Sequence, residues 1–381
     1  MSVTVCLSPG TIAYPQGAGH LWAYLNWGLS LRAVGCRVLW LEDVGGMLAS
    51  GSVGEATAAA DTLDAALTRF GLPGALSVTD FRGDTVPADL GAGHLSLGDV
   101  TEASDLLLDF TYQAPASVVG RFRRSALVDL DPGLLQIGMD RGDLRVAPHD
   151  MYFTIGETVG TPAACFPDGG VAWQYSPPPV YLPAWEVSPL PQAGPFTTVT
   201  NWWGEWILIG DETVDNEKRT AFLRLLDLPA KVSALLEIAL TPDEYTLRTD
   251  GALLRKHGWT VRDAWAACGT PEGYRDYIRG SRGELSAAKA SCARLANAWV
   301  SDRTVCYLAS GRPAIVEHTG PSRILPEADG LLRFRDVDEA AAAITRVEAD
   351  PAHHARAARA LAEEHFDGER LVATVLERAL P

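Results

Sequence analysis

The chain opens with a strand, a helix and a second strand, and this order constrains the fold more than any other feature. Residues 2–8 form a short apolar run, and residues 20–34 carry apolar side chains at helical spacing. Gly35 is placed to end that helix, and residues 36–41 form a second apolar run that ends at Glu42. A unit of this kind predicts parallel strands joined by a right-handed crossover.

The same pattern starts again after an irregular, proline-rich stretch at residues 176–195. The later strands and helices are predicted at residues 196–200, 215–226, 234–240, 283–298, 314–317, 337–350 and 351–365, with one more helix beginning at Ser301. The sequence therefore predicts an α/β protein with two Rossmann-like domains, at residues 1–180 and 192–366, that face each other across a cleft. Ligands of open α/β sheets bind where the strands end, so the site is expected in that cleft.

Composition excludes several function classes. A formal net charge of −16 argues against a nucleic-acid or anionic-membrane surface, since either would need a basic face. No apolar run approaches the ~20 residues of a membrane helix, and the first residues do not have the pattern of a signal peptide. The six cysteines lack the spacing of a metal cluster or disulfide framework. We therefore expect a soluble, cytoplasmic protein with reduced thiols and no metal site.

One segment, residues 280–320, is the most informative. Ser301-Asp302-Arg303-Thr304 has the pattern of an N-cap and first helical turn, where free N–H groups and the helix dipole attract anions. Arg303 adds a positive charge and Thr304 a hydroxyl. The helix is expected to end near Gly311, and a strand follows Pro313 directly.

This helix–Gly–x–Pro–strand arrangement resembles the nucleotide-sugar motif in the C-terminal domain of GT-B glycosyltransferases. Over residues 253–332 the chain is similar to an actinobacterial branch of that fold, distantly related to CgeB-type spore-protein transferases. The resemblance implies that the first turn, Ser301 to Thr304, holds the pyrophosphate of a nucleotide-sugar donor. It also implies that the last helix, within residues 369–381, packs back on the N-terminal domain. The alternative is an ordinary capped helix of a Rossmann-like domain.

A second charged cluster precedes that helix. On the predicted helix over residues 283–298, Lys289 lies two turns from Arg282 and can share a face with it. With Glu284, the two cations are candidate donor-binding residues that bracket the phosphates. A solvated helix face would show the same pattern.

His257 and Gly258 form a further candidate donor-binding pair. In the resembled family a loop at this level of the C-terminal domain faces the nucleoside, so His257 is expected to hydrogen-bond the base. Gly258 has an alternative role as the residue that ends a helix.

The loop after the first strand carries Gly17, Gly19 and His20. It resembles the glycine-rich loop of inverting GT-B enzymes, in which the following histidine deprotonates the acceptor hydroxyl. Asp131, or Asp109, each at the end of a predicted strand, is expected to orient His20. If the reaction retains configuration, no protein base is expected there and His20 positions substrate.

Two other motifs favour different functions. Gly17-x-Gly19 starts a dinucleotide fingerprint, and Glu42 follows the second strand where such enzymes hold a ribose, but Trp22 stands where the third glycine belongs. Asp129-Leu130-Asp131 imitates a metal-binding DxD motif, yet it precedes Pro-Gly and is interpreted as a strand-end turn.

Aromatic residues complete the prediction. The chain has 11 tryptophans, and Trp202, next to Trp203, is assigned to the acceptor because indole rings form platforms for sugars. The sequence thus predicts a metal-independent, cofactor-free glycosyltransferase that moves a sugar from a nucleoside-diphosphate donor to a small-molecule acceptor, in natural-product or glycoconjugate biosynthesis. An NAD(P)-dependent oxidoreductase and an inactive nucleotide-sugar-binding module are the alternatives.

Overall fold

The computed structural model describes most of the chain, namely residues 2–14, 17–83, 86–91, 93–241, 243–325 and 327–380. None of the helices in these ranges is both long and apolar enough to cross a membrane. All six cysteines are free, and five of them are buried. These five thiols lie in the core, as the sequence predicts.

The N-terminal part folds around a parallel sheet of seven strands within the described residues. The strands are β1 (Thr4–Ser8), β2 (Arg37–Asp43), β3 (Leu76–Thr79), β4 (Leu106–Asp109), β5 (Ser125–Asp129), β6 (Met151–Thr154) and β7 (Trp173–Tyr175). They lie in the order β3-β2-β1-β4-β5-β6-β7, and β1 is buried along its whole length. Helices cover both faces of such a sheet, so its central strands are mostly apolar and buried.

The helices of this part are α1 (Ala18–Ala33), α2 (Gly45–Ala49), α3 (Val53–Arg69), α4 (Ala88–Gly91), α5 (Leu97–Ala103), α6 (Ala116–Val119) and α7 (Leu134–Arg141). Helix α1 is the central one, and it buries Trp22 and Trp27 almost completely. It ends where predicted, because Gly35 adopts a φ of 90°, a conformation that glycine tolerates without steric cost.

The C-terminal part contains β8 (Phe196–Thr200), β9 (Trp206–Ile209), β10 (Glu212–Asp215), β11 (Leu236–Leu240), β12 (Thr260–Asp263), β13 (Gly283–Ser286), β14 (Ala314–Glu317) and β15 (Leu331–Phe334). Six of these strands form a second parallel sheet in the order β12-β11-β8-β13-β14-β15. The other two, β9 and β10, form an antiparallel hairpin inserted after β8.

Its helices are α8 (Lys218–Leu223), α9 (Glu244–Arg248), α10 (Asp250–Lys256), α11 (Ala264–Cys268), α12 (Pro271–Arg279), α13 (Ala290–Ala293), α14 (Asp302–Ala309), α15 (Val337–Ala349), α16 (Pro351–His365) and α17 (Gly368–Ala379). Two short 3-10 helices lie at Leu182–Ala184 and Leu228–Ala230. Strand β8 and helix α16 have the bounds that the sequence predicts. The predicted helix over residues 283–298 is wrong, since that segment contains strand β13 and only one helical turn, α13.

The chain crosses between the two parts at two neighbouring places. At the first, Arg312 is buried and donates to the carbonyls of Ser188 and Arg279, which fixes the proline-rich linker on the C-terminal part. At the second, the Val180 amide donates to the Phe366 carbonyl at 2.9 Å. Helix α17 then packs against α1. The domain bounds 1–180 and 192–366 stay a prediction, and both sheets lie within them.

The two parts also touch through helices. The Trp22 indole on α1 donates to the Pro271 carbonyl at 2.7 Å, and the Asn26 amide on α1 lies 3.6 Å from the sulfur of Cys306 on α14. Helices α1 and α14 thus pack side by side. The N-terminal residues of both helices line one cavity between the two sheets.

Candidate functional site

A cavity of about 590 Å³ lies between the carboxyl ends of the two sheets. Among the residues named from the sequence, those that line it are Gly17, Gly19, His20, Asp131, Lys289, Ser301, Asp302 and Arg303. The first four come from the N-terminal part and the last four from the C-terminal part. The fold therefore brings together most of the predicted residues, although nearly 300 positions separate the first from the last.

The N-terminus of helix α14 forms the floor of the cavity. Ser301 is the N-cap, and its hydroxyl accepts from the Arg303 amide at 3.1 Å. Asp302 begins the helix and faces the cavity, whereas Thr304 is buried behind it, with 2% of its surface exposed. The helix dipole adds a partial positive charge at this end. Of the predicted turn, Ser301, Asp302 and Arg303 are accessible to a ligand.

Arg303 is held rigidly at the cavity edge. Its Nε donates to Glu284 Oε1 at 2.8 Å, and one terminal nitrogen donates to the Val199 carbonyl at 2.8 Å. Burial disfavours the charged form, but the Glu284 carboxylate reverses this and raises the pKa of Arg303 above its ordinary value. Glu284 itself is fully buried beneath the cavity. The prediction that Glu284 binds the donor is therefore corrected, because it orients Arg303 instead.

Lys218 is a site residue that no sequence motif indicated. It begins α8, lines the cavity and donates through Nζ to the Ala287 carbonyl. Burial, followed by the nearby charge of Arg303, lowers the pKa of Lys218 to about 7. We call Lys218, Lys289 and Arg303 the cation cluster. The hairpin of β9 and β10 is inserted between strand β8 and Lys218. Because of this insertion, the sequence does not indicate that Lys218 lies near the end of β8.

Lys289 reaches across the cleft. Its Nζ lies 3.0 Å from Asp131 Oδ2, and both side chains are partly exposed to the cavity. The Asp131 carboxylate raises the pKa of Lys289, against the opposing effect of burial. Asp131 therefore pairs with the cation cluster, although the sequence predicts it as the partner of His20.

His20 lies opposite the cation cluster on the third residue of α1. Its ring packs edge-on against Tyr24, with centroids 5.0 Å apart, and faces Tyr14 at 6.3 Å. Desolvation lowers the pKa of His20, while the charge of Asp302 across the cleft opposes that shift. The imidazole is thus neutral near pH 7, which is the form that accepts a proton.

The second predicted partner of His20 is also engaged elsewhere. Asp109 Oδ2 lies 3.3 Å from Nε2 of His149, and both side chains are buried. Its other oxygen accepts from the amide and hydroxyl of Thr111. Neither predicted carboxylate therefore pairs with His20, although the charge of Asp302 on the facing domain favours a higher pKa of its imidazole.

The glycines of the first loop permit close approach. A Cβ on Gly19 would lie 2.7 Å from the Tyr274 ring of the facing domain, and one on Gly17 would overlap the Tyr14 ring. Contacts under 3.0 Å do not occur for real side chains, so larger residues there would displace the rings. Both glycines line the cavity, where they leave space next to His20.

Arg282 lies away from the cavity. It precedes β13, at the opposite end of the sheet, where its Nε donates to Glu348 at 2.7 Å and its Nη1 to the Pro191 carbonyl at 3.0 Å. These contacts fix the linker and helix α15. The prediction that Arg282 binds the donor is corrected, since residues 283–286 form a strand and not the helix that would have turned it toward Lys289.

His257 and Gly258 also lie at the opposite end of the sheet, in the turn between α10 and β12. The His257 ring Nδ1 is 2.7 Å from Asp227, at the surface. Gly258 has a φ of 93°, which the turn requires. Neither residue lines the cavity, so the prediction of a nucleoside contact there is corrected.

Trp202 is part of the core, and its neighbour faces the cavity. Only 1% of Trp202 is exposed, and its Nε1 donates to Asp250 at 2.8 Å. Trp203 lines the cavity mouth with 45% of its surface exposed and donates to Thr246 at 2.8 Å. The acceptor role predicted for Trp202 is therefore corrected in favour of Trp203, which the alternation of side chains along an extended segment explains.

Glu42 is unavailable to a ribose. It is fully buried, and its two oxygens accept from the amides of Thr11 and Ile12 and from the indole of Trp40. Burial raises the pKa of Glu42, and these hydrogen bonds partly offset the shift. The carboxylate thus fixes the loop between β1 and α1, which removes the main support for a dinucleotide site.

Solved structures similar to the whole chain share this architecture. HepE of Anabaena in complex with UDP-glucose is 14% identical, with a TM-score of 0.60 over 98% of each chain. Sucrose-phosphate synthase from Thermosynechococcus elongatus is 12% identical, with a TM-score of 0.58 over 99% of this chain and 98% of that one. AviGT4, a glycosyltransferase involved in avilamycin A biosynthesis, is 14% identical, with a TM-score of 0.55 over 99% and 97%.

Neither a family model nor a curated relative matches the chain. The structural likenesses extend over nearly the full length of both partners, so they concern both sheets and the cleft between them. The chain therefore has the GT-B fold, two Rossmann-like domains that face each other across a cleft, as the sequence predicts.

Proposed function

We propose that this chain transfers a sugar from a nucleoside-diphosphate sugar to a small-molecule acceptor. The observation that carries the proposal is the convergence of the cation cluster and the N-terminus of α14 on one side of the cavity, opposite His20. Three cations and a helix dipole suit a ligand with two adjacent phosphates. The function is thus inferred from charge and position, and the fold adds support.

The cation cluster has a defined role in this reaction. When the glycosidic bond of the donor breaks, negative charge develops on the departing diphosphate. Lys218, Lys289 and Arg303 are fixed in a partly buried site before the reaction, where electrostatic stabilisation of a leaving group is strongest. We infer that these side chains supply the counter-charge that a divalent metal supplies in other transferases, and that no cofactor is required.

His20 is assigned to the transfer step. It lines the cavity opposite the cation cluster, so a sugar attached to the bound diphosphate would extend toward it. We propose that neutral His20 accepts the proton of the acceptor hydroxyl as the new bond forms. This assignment implies inversion at the anomeric carbon. A product with retained configuration would leave His20 as a substrate-positioning residue.

The names of the similar structures guide the choice of substrates. UDP-glucose is bound to HepE, and AviGT4 acts in antibiotic biosynthesis. We therefore propose UDP-sugars as the first donors to test and natural-product or glycoconjugate biosynthesis as the setting. The placement within a CgeB-type branch and a cytoplasmic location, where the six free thiols stay reduced, belong to the same proposal.

A thermal-shift screen tests the donor. UDP, dTDP, ADP, GDP and their sugars are compared with NADH, and a ligand at 100 times its dissociation constant stabilises by about 2.7 kcal/mol. Nucleoside diphosphates should stabilise the protein and NADH should not. EDTA should leave that stabilisation unchanged. Stabilisation by NADH alone, or by no nucleotide, would contradict the proposed function.

A matched pair of variants ties binding to the cation cluster. Lys289→Ala removes a charge-assisted contact worth about 1.5–3 kcal/mol, so the affinity for the stabilising diphosphate should fall about ten- to a hundredfold. Lys231→Ala removes a surface lysine paired with Asp338 and should not change that affinity. Equal effects of the two substitutions would refute the assignment of the diphosphate site.

A further inference from the structure

The cavity has two chemically different sides. The cation cluster belongs to the C-terminal part. The acceptor wall is the lining contributed by the N-terminal part, namely Tyr14, residues 17–20, Ala23, Tyr24, Leu130, Asp131 and Leu134. A donor bound to the cation cluster leaves the acceptor wall for the second substrate. The class of acceptor proposed below therefore rests on the proposed function.

The acceptor wall is aromatic and alkyl in character. His20 lies between the rings of Tyr14 and Tyr24, and Tyr24 is backed by Phe110 with ring centroids 5.2 Å apart. Ala23 and the two leucines of the wall, Leu130 and Leu134, add apolar surface. Rings held in this way form a preorganised surface for another ring, because little side-chain freedom is lost when it binds.

Charge on the acceptor wall is negative. Among the described residues of the wall, Asp131 is the one carboxylate, and no lysine or arginine belongs to the wall. Asp302 faces the cavity from the other side. The cations that line the cavity are engaged by Asp131, Glu284 and the Ala287 carbonyl, and the donor requires them. A second anion would lose its hydration and gain no counter-charge.

From this distribution of rings and charge we propose that the acceptor is a ring-bearing hydroxyl compound without phosphate or carboxylate. Its ring packs against Tyr14 and the two leucines of the acceptor wall, and its hydroxyl faces His20. Trp203, which is exposed at the cavity mouth and fixed by its hydrogen bond to Thr246, covers the other side of the molecule. An acidic acceptor, such as a sugar phosphate, would be rejected by Asp131 and Asp302.

Two probes that differ only in charge test this class. The UDP-loaded protein is titrated with 3-(4-hydroxyphenyl)propionamide and with 3-(4-hydroxyphenyl)propionate, which share the ring, the hydroxyl and the length of the side chain. The neutral probe should bind at least about tenfold more tightly than the carboxylate. This difference corresponds to about 1.4 kcal/mol, which we attribute to repulsion between the carboxylate and Asp131. Equal affinities of the two probes, tighter binding of the carboxylate, or no binding of the neutral probe would overturn the proposal.

A charge-introducing variant strengthens the test. Ala23→Lys places a cation on the acceptor wall and should narrow or reverse the preference between the two probes without weakening UDP binding. Ala58→Lys, on the exposed face of α3, is the matched control and should leave the preference unchanged. If the wild-type protein bound no nucleoside diphosphate, the proposed function itself would fail. If UDP bound but the carboxylate probe were preferred, only the acceptor class would be wrong.

Discussion

The ammonium group of Lys289 and the carboxylate of Asp131 meet at 3.0 Å across the interdomain cleft. Asp131 follows a strand of the first sheet and Lys289 a strand of the second, and both line the cavity. In the absence of a donor, Asp131 thus provides the negative charge that Lys289 would receive from a phosphate. Donor binding must break this pair, and the chain can be tested for that competition.

Asp131→Asn should strengthen the binding of UDP. The substitution removes the competing charge, and a partly exposed ion pair is worth about 1 kcal/mol, so the affinity should rise about fivefold. Isothermal titration calorimetry measures it. Asp143→Asn, which removes the partner of Arg141 on the protein surface, is the control and should have no effect. Weaker UDP binding by Asp131→Asn would show that Asp131 does not compete with the donor.

Donor affinity should depend on pH through Lys218. Its pKa of about 7 in the free protein rises when an anion binds, so the affinity is complete below pH 7 and declines as the pH increases above it. The decline should approach about tenfold per pH unit until the pKa of the complex is reached. UDP-glucose is the suitable ligand, because its phosphates do not titrate between pH 6 and 9.

The groups that face Lys218 support this assignment. They are Arg303, Lys289, Glu284 and Cys292, and the last has a pKa raised to about 12 by burial. Carboxylate partners raise the pKa values of Arg303 and Lys289, so neither cation is expected to lose its charge between pH 7 and 9. Lys218→Met should bind UDP-glucose more weakly and without this pH dependence. A flat profile for the wild-type protein would refute the role of Lys218.

His20→Gln should lower kcat by about 10²- to 10⁴-fold, the usual contribution of a general base. UDP affinity should stay within twofold of the wild-type value, since His20 lies opposite the cation cluster. His257→Gln is the control, because that histidine is paired with Asp227 outside the cavity, and its kcat should be unchanged. Determining the anomeric configuration of the product by NMR then distinguishes a base from a positioning residue.

Arg282→Ala should act on stability and leave donor binding unchanged. Its guanidinium is 14% exposed and bonded to Glu348 and to the linker, so the free energy of unfolding should fall by about 1–3 kcal/mol. Urea denaturation measures this. Arg248→Ala, in an exposed pair with Glu244, should change stability by less than about 0.5 kcal/mol. A loss of UDP affinity in Arg282→Ala would contradict its position.

Much of the fold follows from periodicity and capping. Strand β8 and helix α16 were predictable because strong local signals mark where they begin. A proline precedes the first residue of β8, and an aspartate cap followed by a proline starts α16. The site turn at Ser301 was predictable for the same reason, since a capping serine is a local feature. These elements depend on their own residues more than on distant contacts.

The segment after β13 shows what sequence alone could not supply. Its alanines favour a helix, yet Ala296 and Ala298 adopt φ angles of 50° and 56°. Such angles cost of order 1–3 kcal/mol and persist only where surrounding contacts impose them. Here the Ala298 amide donates to the Thr319 carbonyl at 2.7 Å, and Asn297 donates to the Pro132 carbonyl of the other domain. These partners are distant in sequence.

Lys218 and Arg282 illustrate the same limit for the site. Both are cations near predicted helices, and the sequence pattern does not distinguish which of them faces the cavity. The inserted hairpin places the helix start of Lys218 at the cavity, whereas a short strand directs Arg282 to the opposite end of the sheet. Which of two cations faces a ligand is decided by strand direction, and four-residue strands leave little pattern from which to infer it.

The linker contacts have a mechanical consequence. Trp185 is held by Asn26 and Ser188 by Arg312, so residues 186 and 187 join two anchored ends at this crossing. An extended chain spans at most about 3.6 Å per residue, which limits the separation of the domains there to roughly 10 Å between the anchored ends. The second crossing, at Phe366, lies beside the first because its carbonyl accepts from Val180. Relative movement of the two domains is therefore restricted near these two crossings, and the cavity mouth beside Trp203 lies away from them.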